Sequence, residues 1–235
     1  MCEIVQHSEP RRPPVVFRTA ISFRLTMSPP RVSSRRVSGG SLERSSLSRS
    51  SRAALRTGKS QAVMLSSSLG VAWLVFAVNA ALGGALAVFG IVPRTVSGLR
   101  GILFAPFLHA NLNHLIANTI PFVVLGWLVM LRDRRHFGRV TLAAAFASGL
   151  VAWLLGAPNS VHIGASGVIF GYLGFLMLSG WYARTLLSVL LSIGVTVAWG
   201  GLVFGVLPTV PGVSWQSHLG GFLGGVLMAR ALRKR

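Results

Sequence analysis

Six stretches of the chain approach or meet the roughly 20 apolar residues that a helix needs to cross a hydrocarbon core. They are 68–92, 112–131, 140–157, 164–182, 185–207 and 215–231. Polar, basic or proline-containing segments separate them, and no period-two alternation competes with the long runs. The pattern predicts an all-α polytopic membrane protein, a bundle of six transmembrane helices, with both termini on one side.

Positive residues set the orientation. Arg132, Arg134, Arg135 and Arg139 lie between the second and third stretches, Arg184 between the fourth and fifth, and Arg230, Arg233, Lys234 and Arg235 after the sixth. The opposite connections carry only Arg94 and Arg100, with no charge around 158–160 or 208–212. The basic loops and both termini are therefore expected in the cytoplasm. A bacterial plasma membrane is the expected location, an organelle inner membrane the alternative.

Composition changes this picture little. The chain is 52% hydrophobic and only 11% charged, which excludes a soluble domain of its size. Its formal charge of +19 suggests nucleic acid at first sight. About half of the 23 Lys and Arg residues, however, lie before Gln61, and the others flank apolar runs, so the charge reads as topology and no nucleic-acid partner is expected. Residues 1–66 are rich in Ser and Arg and read as a disordered cytosolic tail ahead of a membrane domain at 67–235, a tail drawn to anionic lipids. An organelle transit peptide, or a true start at Met27 or Met64, are the other readings of that segment.

Depth then sorts the polar residues inside the apolar runs. His114 and Asn118 fall in the outer half of the second stretch, Ser166 in the first turn of the fourth, and His218 near the outer end of the sixth. Such residues are costly in a membrane and usually face the bundle interior. Four residues apart, His114 and Asn118 stack about 6 Å apart along one helix face, which suits two donors aimed at one oxygen. An interhelical hydrogen bond is their plainer reading. Ser166, in Gly164-Ala165-Ser166-Gly167, sits at a loop-to-helix junction where its N–H is unpaired and points toward any anion formed there.

A histidine must reach the serine to accept its proton. Gly167, Gly171 and Gly174 mark one face of the fourth stretch, and Gly221 and Gly225 follow His218 on its own face, a small-residue pattern that lets helices touch. His162, four residues before Ser166, competes as base on spacing alone and is read as a loop residue; His109 is read as an interfacial histidine. Elimination narrows the chemistry further. The only acids are Glu3, Glu9, Glu43 and Asp133, so a paired-aspartate site, a Ser-His-acid triad and a zinc site of the H-E-x-x-H type are excluded. Cys2 is the only cysteine, which excludes an intrachain disulfide and a thiolate metal site. No cofactor or metal is expected, and any catalysis uses a Ser-His dyad.

Three segments carry a resemblance to the rhomboid family of intramembrane serine proteases. They are Pro106-Phe107-Leu108-His109 running into His114-Leu115-Ile116-Ala117-Asn118, then Gly164-Ala165-Ser166-Gly167, then Ser217-His218-Leu219-Gly220-Gly221 with Gly224-Gly225. The resemblance covers about 68–232. It implies that Ser166 is the nucleophile, that His218 is general base and acid, and that His114, Asn118 and the Ser166 N–H form an oxyanion hole. It implies also that the substrates are single-span membrane proteins, cut near small side chains at the outer face. Phe170 stands where many relatives carry Tyr, and the first outer loop lacks the Trp-Arg pair of some bacterial members. The alternative is a non-catalytic relative that binds transmembrane segments in membrane-protein quality control; such relatives normally lose the serine or the histidine, and both stand here. A small transporter or channel subunit would carry polar residues deeper into the membrane than this chain does.

Overall fold

The computed structural model describes residues 39–233, with side chains from Thr57 onward. The chain divides into two units, Met1–Ser46 and Leu47–Arg235, and the core and site lie in the second. Among the described residues seven α-helices run in order: α1 Gly39–Ala81, α2 Gly101–Phe104, α3 Leu112–Arg132, α4 Arg134–Leu155, α5 Ser166–Ala183, α6 Leu186–Trp199 and α7 Trp215–Ala231. Among the described residues there is no strand, only an isolated antiparallel bridge between Ile91 and His162. Five helical stretches of the described residues are long and apolar enough to cross a membrane, namely Thr57–Ala81, Leu112–Arg132, Arg134–Leu155, Ser166–Ala183 and Leu186–Val206. The sixth expected helix, α7, is formed with 17 residues and is shorter than these.

The first span differs most from expectation. Helix α1 stops at Ala81 instead of continuing to 92, because Gly83 and Gly84 take φ values of 62° and 88°, a left-handed path that reverses the chain. Beyond it lies only a short 3-10 turn, Ala85–Phe89. At its other end the boundary drawn at 66/67 falls inside α1: Leu65 is buried in the core and Gln61 Nε2 donates to the Met130 carbonyl at 3.4 Å. Residues 1–38 of the expected tail lie outside the described residues. The fifth span changes form midway, as α6 gives way at Gly200 to a 3-10 segment, Gly200–Val206.

Lipid tails are as apolar as leucine, so in a bilayer close packing, more than the expulsion of water, joins the helices. Helix α5 is the central one, with α4 and α7 packed tightly on it. A Cβ added to Gly221 would land on the Gly167 carbonyl oxygen, and one on Gly225 on the Gly171 carbonyl oxygen, so α7 lies directly on the α5 backbone. On α5, Gly174 meets the Phe222 carbonyl of α7, while Gly167 and Gly171 serve another neighbour: a Cβ on Gly167 would strike Ser148 Oγ, and one on Gly171 the Ala144 methyl group, both on α4. Gly220 and Gly224 do the same for α7 against the Ala147 and Ala143 carbonyls of α4. Toward the Arg132 end, Leu125, Val129, Tyr172, Leu173 and Leu176 fill the core without exposure.

Candidate active site

Helix α5 begins at Ser166, and α7 carries His218 on its first turn. The close approach of the two helices brings Ser166 Oγ and His218 Nε2 to 2.9 Å. The other ring nitrogen, Nδ1, lies 2.9 Å from the Gly205 carbonyl oxygen. A carbonyl only accepts, so Nδ1 carries the proton and Nε2 is left with its lone pair toward the serine hydroxyl. Phe170, one turn into α5, stacks on the imidazole with centroids 4.0 Å apart and planes 7° from parallel. A hydrogen bond along the ring edge and an aromatic face thus fix an imidazole that has no carboxylate beside it. Gly205 must be small, since a Cβ there would come within 2.8 Å of the Phe170 ring and 3.3 Å of Nδ1.

His114 and Asn118, both on α3, approach the loop that leads into Ser166. Gly164 has φ 122°, open to glycine and strained for other residues, and a Cβ there would sit 2.8 Å from His114 Nε2 and 3.8 Å from Asn118 Nδ2. Both side chains therefore converge on the bare face of Gly164, two residues before Ser166. Asn118 is 7% exposed, and its Nδ2 has no hydrogen-bond partner among the described residues. The Ser166 N–H, at the start of a helix, has no acceptor one turn back; the His162 carbonyl that precedes it is taken by the Ile91 N–H at 3.0 Å.

One histidine departs from the sequence reading, and a second keeps the loop place expected of it. His109, expected at the interface, is 1% exposed, packs edge-on against the His114 ring at 5.1 Å and accepts the Ala165 N–H at 3.5 Å. It braces His114 and the backbone before Ser166 together. His162 does not reach Ser166: its Nε2 pairs with Ser160 Oγ at 2.9 Å and its Nδ1 with Ser214 Oγ at 2.5 Å. Ser214 in turn donates to Ser217 Oγ at 2.7 Å, so His162 clasps the loop before α5 to the start of α7. The connection after α1 is held as well, with Arg94 donating to the Leu154 and Gly156 carbonyls and Trp153 Nε1 to the Thr95 carbonyl. No group of three or more His, Cys, Asp or Glu residues that would hold a metal occurs among the described residues.

Burial moves the His109 pKa from 6.5 down to about 4; the nearby His114 adds to the shift and the Phe107 carbonyl opposes it. Burial also lowers that of His162. A histidine held neutral in the fold but free to protonate when unfolded gives stability that is complete above pH 6.5 and declines as pH falls toward the folded value. The thermal unfolding midpoint in detergent should accordingly drop between about pH 6.5 and about pH 4. His109→Gln should flatten that slope relative to wild type; an unchanged slope would show that His109 does not contribute it.

A family model for the rhomboid domain matches residues 96–235. Similar proteins include an uncharacterized protein of Mycobacterium tuberculosis, 41% identical over 168 residues that cover 68% of this chain and 70% of that protein. An uncharacterized protein of Mycobacterium leprae is 44% identical over 57% of this chain and 56% of its own length. Rhomboid-like protein 11, chloroplastic, of Arabidopsis thaliana is 30% identical, over 55% of this chain and 51% of that protein.

Proposed function

Because the chain belongs to the rhomboid family, we propose that it is an intramembrane serine endopeptidase working through a Ser166–His218 dyad on single-span membrane proteins. The observation that carries this reading is the directed pair of hydrogen bonds on His218, one to Ser166 Oγ and one to the Gly205 carbonyl, each 2.9 Å. Ser166 Oγ forms a bond to the scissile carbonyl carbon as its proton passes to His218 Nε2. The carbonyl oxygen takes the negative charge and is met by the Ser166 N–H, His114 Nε2 and Asn118 Nδ2. Collapse of this intermediate expels the amine, which takes the proton from Nε2. Water then attacks the acyl-enzyme as His218 Nε2 accepts its proton, and collapse returns that proton to Ser166 Oγ as the carboxylic product leaves.

The unpartnered Asn118 amide supports the oxyanion role. A buried donor left without an acceptor costs about 1–3 kcal/mol, and a charge that exists only during the reaction supplies a reason for it. In this reading the ends of α3 and α4 that carry Arg132, Arg134 and Arg135 face the cytoplasm of a bacterial plasma membrane. The dyad lies toward the outer face, where a substrate segment with small side chains unwinds.

The test is reconstitution of the full chain in liposomes with a tagged single-span reporter that has small residues near its outer end. The wild type is expected to produce one cleaved fragment and Ser166→Ala none. Capture of intact reporter by wild type and Ser166→Ala alike, without cleavage by either, would instead support a binding protein for transmembrane segments.

A further inference from the structure

Helix α1 stands apart from the tight trio of α4, α5 and α7. It contributes Leu65 and Ala72 to the interior, but it makes few close backbone approaches to any neighbour. Between α1 and α3 a cavity of about 420 Å³ remains, walled by Gly58, Ala62, Leu65 and Leu69 on one side and by Val124 and Trp127 on the other. Its walls are apolar apart from Gln61 and Ser66, and Gln61 is already engaged with the Met130 carbonyl. In a bilayer such a seam does not stay empty, and its apolar walls suit a hydrocarbon chain.

The mouth of the seam is basic. Arg134 NH1 donates to Ser60 Oγ at 3.1 Å, which places the guanidinium beside the α1 turn that contains Gly58 and Gln61. Lys59 and Arg134 are both exposed there. The Arg132 guanidinium lies over the Phe175 ring at 5.6 Å and adds to the positive potential at the same end. Asp133, the only acid after Glu43, turns a carboxylate oxygen to the Arg135 N–H at 2.9 Å. Trp127, 45% exposed, lies on the seam near this end, a position typical of aromatic residues at the headgroup boundary.

From this combination we infer that the α1/α3 seam is a binding site for one anionic phospholipid, with an acyl chain between the two helices and the phosphate at Lys59 and Arg134. The site lies at the opposite end of α3 from Asn118 and holds whether or not Ser166 is a nucleophile. An apolar slot alone would take any lipid; the two cations at its mouth select for charge. Filling the slot replaces contacts that α1 does not make with protein, so the bound lipid fastens α1 to the bundle.

The experiment uses the full chain, purified in detergent and stripped of lipid, then titrated with phosphatidylglycerol or phosphatidylcholine of identical chains. Native mass spectrometry counts the lipid retained. The wild type should hold one phosphatidylglycerol with a preference on the order of tenfold over phosphatidylcholine. Lys59→Gln with Arg134→Gln should erase the preference, while Arg139→Gln with Arg230→Gln, which removes the same charge elsewhere, should keep it. Ala62→Leu, which narrows the slot, should lower retention of both lipids. Equal retention of the two lipids by wild type, equal effects of the two charge pairs, or no effect of Ala62→Leu would each overturn the proposal. A readout that leaves the basic pair intact is quenching of tryptophan fluorescence by brominated phosphatidylglycerol at one lipid per protein. Trp127→Phe should remove more of the quenching than Trp181→Phe, and equal losses would contradict the placement.

Discussion

Replacing Gly221 with valine should abolish proteolysis while the protein still inserts into the membrane. The Cβ of any side chain at 221 lands on the Gly167 carbonyl oxygen, which is backbone and cannot rotate aside. Helix α7 must therefore move outward, and His218, three residues away on the same face, moves with it. The 2.9 Å bond to Ser166 Oγ does not survive such a shift, and a general base beyond hydrogen-bond reach no longer activates the serine. Overpacking of this kind typically costs about 1–3 kcal/mol, which leaves room for a folded but inactive protein. Gly70→Val is the matching control, because nothing lies within 4 Å of a Cβ at that position. Cleavage of the liposome reporter should be lost in the first variant and kept in the second. Activity in Gly221→Val near the wild-type level would show that the glycine contact does not set the dyad.

Asn118→Ala should lower kcat by roughly 100- to 1000-fold, the range expected for loss of one oxyanion donor, with little change in KM. In the proposed mechanism the amide meets the charge of the transition state more than the substrate that precedes it. A second expectation separates this role from a structural one. Asn118 Nδ2 donates to nothing among the described residues, so its removal strips no buried acceptor of a partner. The unfolding midpoint should therefore stay at or slightly above that of wild type. A large fall in stability with unchanged kcat would assign Asn118 to helix packing and remove it from the site.

The sequence carried the six-helix pattern because membrane spans announce themselves by length and hydropathy, and it pointed to Ser166 and His218 because polar residues at one depth stand out against apolar runs. The proximity of α5 and α7 was legible in Gly167, Gly171, Gly221 and Gly225, although the division of labour was not. Gly221 and Gly225 clear the α5 carbonyls and Gly174 the Phe222 carbonyl of α7, whereas Gly167 and Gly171 clear side chains of α4. The partner of His218 Nδ1 left no sequence signal, since it is a backbone carbonyl on a 3-10 segment that hydropathy merges with α6. His109 looked like a boundary residue because it precedes a helix; its burial follows from how the chain between α2 and α3 tucks under Ala165. The first span was placed too late because apolar residues continue past Gly83 and Gly84, where the positive φ of both glycines ends the helix.

Labelling by a fluorophosphonate, read by intact mass and peptide mapping on the detergent-purified chain, bears most directly on the central claim, because it requires no substrate. An activated serine aligned on an unprotonated Nε2 should take up one label, at Ser166, and lose it in both Ser166→Ala and His218→Ala. Absence of label on folded wild-type protein, with an active rhomboid protease modified in parallel, would contradict the account, as would labelling that persists in His218→Ala.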